Sequence, residues 1–304
     1  MSGAYAHITL VNEVPEGLES IPGFPPRAIL AVKRYLPYCE LGAVSPDYPY
    51  LALGDSKAAK WADQMHYVRT GDMIHAGIER VRAMSGQTQL KCLAWLLGYA
   101  AHVTTDVTIH PVVELRVGPY EENKAGHRTC EMHQDAYIFQ RLNIGEMGLA
   151  DHLKHGIALC GSNEQLDTDI KELWRSMLQE VHPDMFMENS PDLDKWHRGF
   201  LMVVDWVEEG QRLIPFARHL AAEKGITYPA PDRTDPTYIE NLTTPTGQAH
   251  YDEVFDLAKT NTGRVWSSVA LGALEQHQGY RTLVANWNLD TGRDLIGGQY
   301  AFWS

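Results

Sequence analysis

The chain has 304 residues, of which 44% are hydrophobic and 21% charged, enough apolar material for a sizeable core in one large domain or two modest ones. A net charge of -13 at pH 7 argues against nucleic-acid backbone or an anionic membrane as a nonspecific electrostatic partner. It leaves open a short phosphate-bearing substrate held by metal ions.

The N-terminus, MSGAYAHITLVNEV, has neither a basic region nor an apolar run of signal-peptide type, so no leader is expected. The later apolar stretches break at His, Thr or Asp before reaching membrane-spanning length, so no transmembrane segment is expected either. ITLV at 8–11 reads as a short strand or equally as helix. Apolar residues at helical spacing predict helices over 26–36, 56–69, 71–84 and, longer and more apolar, 88–108. Thr88 starts the last of these, and Gly126 stands just ahead of another over 126–142. Further helices are predicted over 148–160, 164–181, 193–223, 236–241 and 247–277. Asp192 or Ser190 is positioned to cap the 193–223 helix, with Pro191 near its first turn. Loops carry the Pro and Gly, and PAPDRTDPT near 229–237 is the single linker-like stretch. Cys39, Cys92, Cys130 and Cys160 lie far apart without a CxxC pair and read as reduced core thiols of a cytoplasmic protein. The expected architecture is all-α, a multi-helix bundle forming a single domain over 1–304. Residues 1–145 would carry the chemistry, and 146–304 would pack as a helical extension.

Inside the longest apolar helix, HVTTDVTIH places His102, Asp106 and His110 four residues apart, on one stripe if the helix persists. Pro111 marks where that helix must end or bend, and Thr108 points to an irregular last turn. His127 and Glu131 repeat the spacing on the next helix. Imidazole and carboxylate supplied from adjacent helices is how helical bundles build multinuclear sites, and such ligands without cysteine suit a hydrolytic Zn²⁺. A single HxxxD is often no more than a pair of surface neighbours. Polar residues embedded in an apolar helix are harder to explain that way, because a buried carboxylate without a partner costs several kcal/mol. Upstream, His7 in HITLVN, Asp47 in SPDYPY and His66 in AKWADQMHY are each weak signals alone. His133 and Asp135 follow as partners able to orient ligand imidazoles, or as solvated surface. Tyr48, Tyr50, Trp61 and Tyr67 are candidates to line a substrate groove, with core packing as the simpler account.

Taken in order, His7, Asp47, His66, HxxxD at 102–106, His110 and HxxxE at 127–131 resemble the zinc-dependent phospholipase C superfamily. That group includes bacterial phospholipases C, the catalytic domain of glycosylphosphatidylinositol-specific phospholipase D, and fungal zinc-dependent single-strand nucleases. AHITLVN, GAVSPDYPYL, LLGYAAHVTTDVTIHP and HRTCE carry the resemblance, roughly over residues 4–140. The short HxxxDxxxH version looks most like the phospholipase D domain; secreted phospholipases C and the nucleases have two further residues between the aspartate and the next histidine.

The resemblance implies two or three zinc ions. Asp47, His66, His102 and Asp106 would hold the first; His110, His127 and Glu131 the second; His7 and Asp106 a third, with Asp106 bridging. Family enzymes complete the third site with the amino group and carbonyl of the mature N-terminal residue. Here Met1 precedes the small Ser2, so Met1 removal is expected and the Ser2 amino group becomes the third-site ligand. The alternative is a two-zinc enzyme with a free N-terminus. Asp47 would orient the attacking water or act as general base. The implied activity is phosphodiester hydrolysis, phospholipase C- or D-like, on a phospholipid headgroup or small phosphodiester rather than long nucleic acid. The competing readings are a nuclease or nucleotidase of the same fold, and a metal-binding protein turned to non-hydrolytic work.

Overall fold

Helix α6, Gly86–Val117, is the axis around which the other elements pack. Every residue from Cys92 to Val113 is buried, as expected of a helix that is apolar on all sides. The computed structural model describes residues 4–142, 156–209, 229 and 233–303.

The helix runs beyond the predicted 88–108 and through Pro111, where an end or a bend was expected, to Val117. Proline leaves the Val107 carbonyl without its helical donor. Gly292, at φ +64°, comes so close there that a Cβ would lie 2.5 Å from the Val107 oxygen and 2.4 Å from Pro111 Cγ. One residue on, the Thr108 carbonyl accepts from Trp303 Nε1 at 2.9 Å. The hydroxyls of Thr104 and Thr108 turn inward to the carbonyls of Ala100 and Thr104, so neither disturbs the helix. A distant stretch of chain thus supports the proline turn.

Before α6 come α1 (Ala4–Glu13), α2 (Pro26–Arg34), α3 (Leu36–Val44), a 3-10 turn at Ser45–Leu51, α4 (Ser56–Tyr67) and α5 (Thr70–Arg82). ITLV is therefore helical. The segment 26–36 ends early because Tyr35 leaves helical geometry, and Pro37 sits in the first turn of α3, where no N–H is needed. Asp55 caps α4 through the N–H groups of Lys57 and Ala58. After α6, α7 (Lys124–Ile138) begins two residues ahead of Gly126, because Asn123 caps it by accepting from the Gly126 N–H.

In the second half run α8 (Thr168–Val181), α9 (Pro183–Glu188), α10 (Leu193–Glu209), α11 (Tyr251–Glu275) and α12 (Tyr280–Leu283). Asp167 sets the start of α8, and Asp192, with Pro191 just before it, caps α10 by accepting from Lys195 N–H. The residues predicted helical at 148–155 and 210–223 lie outside those described, and 236–241 holds only a 3-10 turn, Pro236–Tyr238. The strands among the described residues form antiparallel hairpins: β1 (Gly161–Ser162) with β2 (Gln165–Leu166), β3 (Leu242–Thr244) with β4 (Gly247–Ala249), and β5 (Trp287–Asn288) with β6 (Arg293–Asp294). The fold is all-α. One hydrophobic cluster runs from Ala6 through Trp95, Trp174 and Trp266 to Leu289, joining both halves. All four cysteines are free and buried. No helix of the described residues is long and apolar enough to cross a membrane.

Candidate metal centre

α3 and α6 cross at two glycines. A Cβ on Gly42 would meet the Trp95 carbonyl oxygen at 2.0 Å, and one on Gly98 the Cys39 carbonyl oxygen at 1.9 Å. This contact brings the Ala43 carbonyl 2.8 Å from Nδ1 of His102. The same pattern recurs twice. His66 Nδ1 bonds the Ala62 carbonyl at 2.7 Å, one turn back on α4, and His110 Nδ1 bonds the Leu289 carbonyl at 2.6 Å, between β5 and β6. A carbonyl accepts only, so each Nδ1 carries the proton and each Nε2 presents a lone pair.

Those three Nε2 atoms are buried and have no hydrogen-bond partner among the described residues. They face carboxylates. His66 Nε2 lies 3.2 Å from Asp47 Oδ1, and His102 Nε2 lies 3.1 Å from Asp106 Oδ2. Asp106 Oδ1 stands 3.3 Å from His7 Nε2 and 3.5 Å from His110 Nε2, and His110 Nε2 is 3.9 Å from Glu131 Oε1. The separations suit ion pairs, yet the Nε2 atoms of His66, His102 and His110 make no hydrogen bond among the described residues. Lone pairs converging with carboxylates in a buried space are the arrangement a cation requires. In two sets, His7 with Asp47 and His102, and His66 with His102 and Asp106, one donor atom per residue lies within 4.8 Å of the others.

The structure therefore gathers His7, Asp47, His66, His102, Asp106, His110 and Glu131 into one cluster. His127 is buried one turn before Glu131; its Nε2 bonds the Gly118 carbonyl at 2.6 Å, which leaves Nδ1 as the lone-pair atom. Ser2 lies outside the described residues.

Burial and charge work against each other here. Burial pushes the Asp106 carboxyl up, but His110, His102 and His7 outweigh it and hold it well below the usual range. Burial likewise raises Asp47, and His102 and His66 reverse the effect. Burial dominates at the other end: it raises Glu131 to about 8, lowers His110 to about 3 and lowers His127. Asp47, with a side chain 19% exposed while those of His66, His102 and Asp106 are sealed, is the carboxylate nearest solvent in the first group.

Asp135 is buried and accepts the N–H groups of Tyr5 at 3.3 Å and Ala6 at 2.9 Å. It fixes the first turn of α1, and so the backbone that carries His7. His133 faces elsewhere, accepting from the Asp235 N–H. Of the aromatic candidates, Tyr48 stacks on Phe200 and Trp61 packs edge-on to Phe186, both in the core. Tyr50 and Tyr67 remain beside the His66 ring at 6.0 Å each. Sequence reasoning missed the carbonyls of Ala43, Ala62 and Leu289 that hold His102, His66 and His110. Asn288–Gly292 has turn composition, which marks a loop but not what it reaches.

A family model described as zinc dependent phospholipase C matches residues 6–184. No curated protein and no solved structure matches the chain. The match begins one residue before His7, takes in every candidate ligand from His7 to Glu131 and spans more than half of the sequence, so the chain belongs to the zinc-dependent phospholipase C family.

Proposed function

We propose that the protein is a zinc-dependent phosphodiester hydrolase acting on a phospholipid or a small phosphodiester, with two or three ions. The observation that carries this is the set of buried Nε2 lone pairs, on His66, His102 and His110, turned toward Asp47, Asp106 and Glu131. The donor set is imidazole and carboxylate, the chemistry of hydrolytic zinc. Asp47, His66, His102 and Asp106 hold the first ion. His110, His127 and Glu131 hold the second. His7, Asp106 and the amino group of Ser2 hold a third. The HxxxDxxxH spacing supports a likeness to the catalytic domain of glycosylphosphatidylinositol-specific phospholipase D.

When bound, the ions supply positive charge for the phosphoryl oxygens and a water acidic enough to ionise near neutral pH. The chain's own groups do the rest. Asp47, ionised and open to solvent, accepts a hydrogen bond from the attacking water and takes its proton as general base. Asp106 stays ionised between His7, His102 and His110. The carbonyls of Ala43, Ala62 and Leu289 fix the imidazoles so that no reorientation is needed during reaction. Water adds to phosphorus as the bond to the leaving oxygen breaks, and the departing alkoxide takes a proton from solvent while Asp47 gives its own back, yielding an alcohol and a phosphomonoester. Both halves of the chain form one catalytic unit in this reading.

The test is metal analysis of purified protein followed by assay on phosphatidylcholine, phosphatidylinositol, single-stranded DNA and a chromogenic phosphodiester. Chelator-sensitive, zinc-restored hydrolysis of a phospholipid or the chromogenic ester is expected. Preference for the DNA would make it a nuclease. Zinc uptake without hydrolysis of any substrate would indicate a binding protein.

A further inference from the structure

Asp47 stands in the 3-10 turn Ser45–Leu51, with a proline on either side of it at 46 and 49. Its Oδ1 is buried and has no hydrogen-bond partner among the described residues. The place of this carboxylate therefore depends on the backbone that carries it. That backbone is held at three points. Ser45 Oγ donates to the Leu41 carbonyl at 2.7 Å and accepts from Trp95 Nε1 at 3.0 Å. At the other end, α10 lies so close that a Cβ on Gly199 would meet the Leu51 carbonyl oxygen at 2.3 Å. Between them is Tyr48, next to Asp47 and fully buried.

The Tyr48 hydroxyl shares a hydrogen bond of 3.2 Å with Nδ1 of His197, one turn into α10. The Tyr48 ring is stacked on Phe200 with centroids 5.1 Å apart. His197 is itself buried, and its Nε2 has no hydrogen-bond partner among the described residues. That nitrogen faces the β1–β2 hairpin, where a Cβ on Gly161 would lie 2.7 Å from it. A phenyl ring would fill the same space without stranding a nitrogen, so packing alone does not account for an imidazole here. What the imidazole adds is the bond to Tyr48. Both His197 and Gly199 lie beyond the region matched by the family model.

We propose that His197 is a positioning residue for Asp47, acting through the Tyr48 hydroxyl. The inference rests on the reading of Asp47 as ligand and general base, and adds to it a residue from the second half of the chain. By fixing the ring beside Asp47, α10 sets where the carboxylate meets the first ion and the attacking water.

The experiment uses the full chain and three variants. His197→Phe keeps a ring and removes the bond, Tyr48→Phe removes the hydroxyl alone, and His197→Asn keeps a polar group at the Nδ1 position. Zinc affinity is measured ion by ion in competition with a chromophoric chelator, and turnover on the chromogenic phosphodiester. Both Phe variants should hold one ion about tenfold more weakly and leave the others unchanged. Turnover should fall with KM unaltered, because Asp47 acts on the water. The double variant should be no weaker than either single one, and His197→Asn should recover most of the affinity. Wild-type affinity for every ion in the Phe variants, or equal weakening of all ions, would overturn the inference and leave the hydrolase reading intact. A wild type that takes up no zinc would overturn both. Should His197→Phe fail to fold, Tyr48→Phe, which loses a single oxygen, decides by the same measure.

Discussion

The Nδ1 of His102 and the carbonyl of Ala43 are bonded at 2.8 Å because α3 and α6 touch backbone to backbone, through Gly42 and Gly98. Ligand orientation therefore depends on two residues with no side chain. In Gly98→Ala the new Cβ would sit 1.9 Å from the Cys39 carbonyl oxygen, so α3 must move away. We expect a loss of about 1–3 kcal/mol in denaturant unfolding, the usual range for overpacking. Zinc affinity should fall about tenfold as His102 loses its anchor. Unchanged zinc affinity in a destabilised Gly98→Ala would separate the helix contact from ligand orientation.

Metal uptake should be steeply pH-dependent. Burial raises Glu131 from 4.5 to about 8, so at pH 7 the metal-free protein keeps a proton that the unfolded chain has lost. Between those values the folded state binds more protons, and stability of the metal-free protein falls as pH rises. His110, lowered from 6.5 to about 3, acts in the opposite sense. There the unfolded chain binds the extra proton, and stability falls as pH drops from 6.5 toward 3. Above pH 6.5 the His110 effect fades and that of Glu131 continues, at up to about 1.4 kcal/mol per pH unit. Zinc needs the carboxylate, so binding at pH 7 must release the Glu131 proton. Calorimetry in buffers of different ionisation enthalpy should register that release. Affinity should rise about tenfold from pH 6.5 to 7.5, and a flat profile would contradict the assignment of Glu131.

The residues with metal-binding chemistry could be read from the sequence because helical spacing fixes local geometry. His102, Asp106 and His110 share a stripe wherever the helix runs, and His127 and Glu131 share another. What sequence could not supply was anything set by distance along the chain. The partner of His110 is a carbonyl 179 residues away. No side-chain pattern encodes a main-chain acceptor, so the anchors at Ala43, Ala62 and Leu289 left no trace. Pro111 misled for the same reason: the contacts of Gly292 and Trp303 that let α6 continue come from the far end of the fold. Closeness in sequence to Asp47 and His66 likewise marked Tyr48 and Trp61 as groove candidates without telling that their rings turn into the core.

Asp135 offers a separable test of the α1 side of the site. It is buried and accepts from the main-chain N–H groups of Tyr5 and Ala6. Asp135→Ala should cost about 1–2 kcal/mol, as for a lost helix cap. Because His7 is the next residue along, its alignment with Asp106 should loosen. Elemental analysis should then show loss of one ion, the one His7 serves, with the remainder retained. Loss of every ion at equal rate would place the effect on global stability instead.

Asp106 is the residue on which the whole cluster converges, and Asp106→Asn is the most informative substitution. Three imidazoles, His7, His102 and His110, lie within 3.5 Å of its carboxylate. The charge is sealed from solvent, so its effect on cations is undiminished by water. Asn keeps the volume and offers one oxygen, but its amide nitrogen meets a lone pair or a cation on the other side. An outer partner of a metal ligand is worth ten- to a hundred-fold in affinity; if Asp106 serves two ions as proposed, its loss should exceed a hundred-fold and empty both. Hydrolysis should vanish with the metal and should not return with excess zinc. Some stability should be lost too, since in the metal-free protein His110, His102 and His7 hold this carboxyl ionised against burial. Circular dichroism would report the fold and elemental analysis the zinc. An Asp106→Asn protein that retained full zinc content would mean that the ions sit elsewhere, and every ligand role argued from this helix would have to be withdrawn.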